Sequence, residues 1–198
     1  MSSTSPLPTS QAASEPRYII LFSKPDDSLP EPLPSLEAIE NAPVISEDYS
    51  TKHIAFFGNS YVVKYGYDVE PLEADNMRFV RQNTTVRVPR VYAVYQSESL
   101  KEGKHKTYII MEKIAGESLD KLWAEFGAEQ KSRIIQQLKE SFSALRSLPS
   151  PGYYGSIDKK RPRDYLFVIK EPTSSIDEPY YTEEALVNDR TKSDITGK

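Results

Sequence analysis

The chain contains no cysteine, which excludes disulfide staples, thiolate zinc centres and cysteine nucleophiles and fits a reducing compartment. Histidine is nearly as scarce. His53 and His105 are the only two, neither has a partner at ligand spacing, and both are read as surface residues. Long apolar runs are missing as well: the longest, Tyr18-Ile19-Ile20-Leu21-Phe22, falls far short of the ~20 residues that cross a bilayer. The opening Met1-Ser2-Ser3-Thr4-Ser5-Pro6 has neither the basic start nor the apolar centre of a secretory leader. With a net charge of −4 there is no general pull toward nucleic acid or anionic membrane, so neither is expected as a partner. The cytoplasm is the expected compartment. The basic run Lys159–Arg163 is read as a solvated loop, with a nuclear-localisation or phosphate-binding patch as its sharper alternative.

What the chain does contain falls into four stretches. Residues 1–48, rich in serine and proline, are expected to be largely disordered. Within them Arg17–Phe22 reads as a short strand or docking segment, and Pro25–Pro34 as an extended linker. Ser35 is placed to cap a short helix over Leu36–Asn41, ended by Pro43. The folded body is expected from about Tyr49, as residues 49–116. It opens on a hairpin, Ile54–Phe57 and Tyr61–Val63, turning at Gly58-Asn59. Pro71 starts a helix to about Asn83, and the strands Val91–Tyr95 and Thr107–Lys113 flank a polar loop over Ser97–Lys106. Residues 117–157 carry a short helix, Ser118–Phe126, and a longer one, Ala128–Leu148, whose Ile134, Ile135, Leu138, Phe142 and Leu145 recur at helical spacing. Residues 158–198 read as a poorly ordered tail, with a short strand over Tyr165–Ile169 and a helix starting at Thr182. The fold class is α+β: a mostly antiparallel sheet of about four or five strands with one packed helix, then a hinge and one or two helices.

The most informative residue is Lys64, at the end of the strand Ser60-Tyr61-Val62-Val63-Lys64. Glu73 follows nine residues later on the next helix. At about 100° per residue, Leu72, Phe79, Val80 and Met77 share one arc, and Glu73 falls inside it. A carboxylate on the buried side needs a partner, and Lys64 is the candidate. A strand-end lysine held by a helix glutamate can grip phosphate: the ammonium can hold phosphate oxygens and the carboxylate keeps it charged and aimed. The bland alternative is a surface lysine beside an incidental helix acid. Met111 reads as core on a central strand. Asp177, Glu178, Glu183 and Glu184 lack metal-ligand spacing and read as a helix start. Tyr92, Tyr95, Tyr153 and Tyr154 are read as strand and turn packing.

Several segments together resemble the aminoglycoside phosphotransferase-like family of small-molecule kinases, in particular its fungal branch. They are Tyr61-Val62-Val63-Lys64-Tyr65-Gly66, Glu73-Ala74, Phe79-Val80-Arg81, Val88-Pro89-Arg90-Val91-Tyr92-Ala93-Val94, Tyr108 to Leu119, and Leu148-Pro149-Ser150-Pro151-Gly152-Tyr153-Tyr154-Gly155. The resemblance covers roughly residues 50–157 and implies a kinase-like N-terminal lobe with the start of a helical second lobe. It implies ATP-dependent phosphoryl transfer to a small molecule. Lys64 would contact the α/β-phosphates and Glu73 would pair with it. Met111 would back the adenine slot, and Glu112 and Ile114 would offer backbone groups to the adenine edge.

One part of the family's pattern has no counterpart. Its acceptor base and magnesium ligands lie on a His-Gly-Asp loop, a following Asn and a later Asp. Neither His53 nor His105 is followed by Gly-Asp. Gly58 is the first glycine, so there is no glycine-rich phosphate-covering loop either. The expectation is a pseudoenzyme with a truncated second lobe: ATP held weakly, no encoded magnesium site, no catalytic residue, an acceptor left unspecified. The other readings are a non-catalytic module that meets a protein partner through an exposed helical surface, or an incomplete gene product.

Overall fold

The computed structural model describes residues 18–45, 51–101, 103–162 and 178–188. Residues 1–16, the strand expected over Tyr165–Ile169, Arg163, Asp177 and the tail from Thr191 lie outside them. The architecture is α+β, built on an open antiparallel sheet.

The elements in chain order are β1 (Tyr18–Ser23), α1 (Leu36–Glu40), β2 (Lys52–Phe57), β3 (Tyr61–Gly66), α2 (Pro71–Asn83), β4 (Val91–Lys101), β5 (Lys104–Glu112), α3 (Leu119–Leu122) and α4 (Ala128–Arg146). A further helical segment covers 183–188. The five strands lie in the order β1-β4-β5-β3-β2, every neighbouring pair antiparallel. β5 is central and its Tyr108, Ile109 and Ile110 are buried, as a near-continuous apolar run demands.

Alternation along the strands divides the core in two. On one face Val63, Tyr65, Ala93, Tyr108 and Ile110 form a cluster with Tyr61 and Tyr92. The Pro-rich N-terminal segment covers this face. Ile39 of α1 is fully buried there, and Leu29, Leu33 and Leu36 pack against the same cluster. The expectation that the body begins near Tyr49 therefore fails for residues 18–45. Proline spacing rules out a long helix but does not stop a chain from laying leucines onto a sheet. Ser35 caps α1 as expected, its Oγ accepting the Ala38 N–H at 3.1 Å. Glu40 then ties α1 to the sheet, since Lys106 Nζ and the Tyr108 hydroxyl both donate to its carboxylate.

On the other face Ile109, Val91 and Val94 meet Ala74 of α2 and Val69, with Met77 and Phe22 at the margin. α2 has the expected bounds, with proline in its first turn. Its sheet-facing side is centred on Ala74 and Met77, so of the expected arc Met77 packs on the core while Phe79 is exposed.

Five local expectations are corrected. Ser97–Lys106 is not a loop, because β4 and β5 continue as a paired hairpin with Lys101 opposite Lys104. Polar side chains suit strands that leave the core. The β2–β3 connection spans Gly58–Ser60 rather than two residues, and the Ser60 N–H leaves the ladder to donate to Glu31 Oε1 at 2.9 Å. β3 does not stop at Lys64 but runs through Gly66, where a φ of 149° and the close Thr51 carbonyl leave no room for a Cβ. The helix expected over Ser118–Phe126 shortens to α3, and the helix expected to Leu148 ends at Arg146.

Candidate functional site

Because Val63 and Tyr65 enter the core beneath the N-terminal layer, Val62 and Lys64 turn to the face that α2 packs on. Pro71 sets the start of α2 and so fixes Glu73 in its first turn. The two side chains meet. Lys64 Nζ donates to both carboxylate oxygens of Glu73, at 2.7 Å to Oε1 and 2.6 Å to Oε2. Lys64 is 24% exposed and Glu73 39%, so the pair sits at the edge of the covered region with one side open to water. A charge-assisted contact to two oxygens orients the ammonium more tightly than a single hydrogen bond does.

Beside the pair lies an uncovered strip of sheet. Packing by α2 reaches Val91, Val94 and Ile109, but Met111 and Val62 are only half-buried and Phe56 is 50% exposed. Val62 is in register with both Phe56 and Met111, and side chains directly opposite on adjacent strands point the same way. Three apolar side chains thus stand abreast across three strands, two residues along β3 from Lys64. Lys113 closes the strip, with its ammonium 4.7 Å from the centre of the Phe56 ring. Met111 is therefore not core, as the sequence suggests, but part of a shelf.

Glu112 faces the opposite way and is structurally occupied. Its N–H donates to the Arg90 carbonyl at 2.8 Å, and its carboxylate accepts the Arg90 N–H at 3.0 Å. The Glu112 N–H is thus committed, and its carbonyl, with two lone pairs, is the backbone group it can offer a ligand. Ile114 lies beyond the end of β5 and is 61% exposed.

Sequence reasoning missed Phe56 and Val62 as members of this surface. Val62 was within reach, because strand alternation places the residue two before Lys64 on the same face. It also missed the Glu40–Lys106–Tyr108 cluster on the other face, whose partners are far apart in sequence. There burial, reinforced by the hydrogen bond to Glu40, pushes the Tyr108 phenol far above its usual range. The histidines are half-buried rather than surface residues. His53 packs on the Tyr65 ring with centroids 5.2 Å apart, and its Nδ1 is buried without a hydrogen bond. His105 Nδ1 lies 2.7 Å from the Ser97 carbonyl. Tyr92 packs in the core as expected, while Tyr154 is exposed and bridges to Tyr180 through the backbone. Among the described residues, no three acidic or histidine side chains converge as metal ligands.

Comparison with family models, curated proteins and solved structures finds no match to this chain.

Proposed function

We propose that the Lys64–Glu73 pair and the Phe56–Val62–Met111 shelf form a nucleotide-gripping surface of the aminoglycoside phosphotransferase-like, kinase-like type. The observation that carries this reading is the two-oxygen contact between Lys64 and Glu73, placed on the open side of a sheet next to uncovered apolar side chains. A nucleotide needs both features: a fixed cation for its phosphates and a flat apolar surface for its base. In this reading Lys64 meets the α/β-phosphates and Glu73 aims it. Val62 and Met111 lie against the base, and the Glu112 carbonyl with the Ile114 N–H meets its edge.

Magnesium would offset the phosphate charge that one lysine leaves uncompensated. The His-Gly-Asp motif that would supply the acceptor base and lead to the metal ligands is not written in these 198 residues. The function proposed is accordingly weak ATP binding, without phosphoryl transfer by these residues alone. Titration of ATP and ADP into the wild type, K64A and E73Q tests it. Losing a hydrogen-bonded charge is worth about 1.5–3 kcal/mol, so K64A should bind about 10- to 100-fold more weakly. Unchanged binding by K64A would remove the grip. Lys64-dependent turnover with hydroxyl or amine acceptors would overturn the binding-only reading.

A second reading, a protein-interaction module, is favoured by α4. Its Ile135, Leu138 and Phe142 are 43%, 47% and 55% exposed, and contiguous exposed apolar surface marks contact sites. A concentration-independent monomer by sedimentation, with no dye binding, would count against it.

A further inference from the structure

A cavity of about 460 Å³ lies on the α2 side of the sheet, between the end of β1, the second half of α2 and the segment leading into β4. It is separate from the grip, since neither Lys64 nor Glu73 lines it. Four cationic side chains surround it: Lys24, Arg78, Arg81 and Arg90. No acidic side chain among the described residues does. In a chain of net charge −4, gathering four positive charges around one hollow costs self-repulsion that a bound anion would relieve.

The main chain that carries Lys24 and Arg90 is anchored, and the Arg78 and Arg81 side chains have fixed contacts. Lys24 donates its backbone N–H to the Tyr92 carbonyl at 2.9 Å, and the Arg90 N–H is fixed by Glu112. Arg81 spends one Nη on the Val88 carbonyl at 3.2 Å, which leaves most of its five N–H donors available. The Arg78 guanidinium lies 3.9 Å from the centre of the Phe22 ring and pairs with Asp75 at 3.2 Å. Asp75 offsets that one charge only. Among the described residues, no carboxylate forms an ion pair with Lys24, Arg81 or Arg90.

The carboxylates of Asp75, on Arg78, and of Glu112, at the Arg90 N–H, oppose an anion here, as does the negative end of the α2 dipole. It is blunted, because Thr84 donates to the Val80 carbonyl from both N–H and Oγ1 and Asn83 Nδ2 donates to the Phe79 carbonyl. The floor of the cavity is apolar, formed by Phe22, Met77 and Val91. Forked guanidinium donors match phosphate oxygens, and an apolar floor suits a small aromatic or aliphatic body.

We infer that this cavity is a second ligand site, one that binds a small organic phosphomonoester with its phosphate among Lys24, Arg81 and Arg90 and its apolar body against Met77. Phenyl phosphate is the probe, titrated into the full chain and followed by arginine side-chain NMR, with inorganic phosphate and phenol as its two halves. The wild type and K64M should bind phenyl phosphate alike, and each half more weakly than the whole. R81Q/R90Q should bind it at least about tenfold more weakly, as expected when charged hydrogen bonds are lost. Should that variant fail to fold, K24Q carries the same expectation, since the Lys24 backbone contact survives the change. The inference is overturned if the wild type does not bind, if the arginine or lysine variant binds as the wild type does, or if K64M alone abolishes binding, which would put the phosphate at the grip. Loss of ATP binding by K64A is read out separately, so the two sites fail independently.

Discussion

The ion pair between Lys64 and Glu73 should behave as a coupled unit, and its strength can be bracketed from the structure. Fully exposed pairs couple by about 0.2–1 kcal/mol, whereas breaking a buried one costs about 3–5 kcal/mol. Glu73 is 39% exposed, so solvent screening holds the pair near the lower bracket, and the contact to both oxygens places it at the top of that range. The expected coupling is about 1 kcal/mol. K64M keeps the apolar stem of the lysine and E73Q keeps the shape of the glutamate. Replacing Glu73 alone should cost about 1 kcal/mol, because Lys64, already 24% exposed, can swing its flexible stem to water rather than stay unpaired. Urea unfolding of the wild type, both single variants and the double variant closes the cycle. The double variant should be more stable than the sum of the single losses implies, by about 1 kcal/mol. In ~1 M salt, where the Debye length falls to ~3 Å, part of this coupling should vanish. Additivity within about 0.3 kcal/mol would mean that the two groups do not support each other, and the grip would lose its physical basis.

Two further outcomes concern the fold. Ile39 is fully buried between the N-terminal layer and the sheet, so I39A should destabilise the chain by about 2–5 kcal/mol in urea unfolding, while a loss below about 0.5 kcal/mol would make the layer an appendage. Burial, the first cause in each case, raises the phenol pKa of Tyr61, Tyr65, Tyr95 and Tyr108 above the ordinary 10.0. The folded state therefore keeps protons that the unfolded chain gives up. Their contribution is complete below about pH 10 and is lost as the pH rises from there toward the folded values, each group steepening the loss by up to about 1.4 kcal/mol per pH unit. Tyrosinate absorbance and circular dichroism should then change together in one alkaline transition. Smooth ionisation of all tyrosines near pH 10 with the fold intact would contradict it.

Local pattern was enough for the elements whose own residues carry their reason. Pro71 and the periodicity behind it set α2, and the apolar run Tyr108–Met111 announced the central strand. The spacing of Lys64 and Glu73 made their meeting a candidate and the family resemblance strengthened it; strand and helix each have a fixed geometry and only a short connection separates them. Within residues 18–45 the short strand and the Ser35-capped helix were foreseen, but their packing into the folded body was not, because composition reports local preference. Burial of Leu29, Leu33 and Ile39 depends on a sheet face that forms from strands much later in the chain. The half-exposure of Met111 was hidden for the same kind of reason: it depends on how far α2 reaches across the sheet. The cationic cavity could not be read from the chain at all. It draws on residues 22–25, 77–82 and 89–91, and only packing decides that their charges surround one hollow. Short-range geometry thus accounts for the helices and the central strand and made the lysine–glutamate contact a candidate, while long-range burial chose which faces were covered and which were left open.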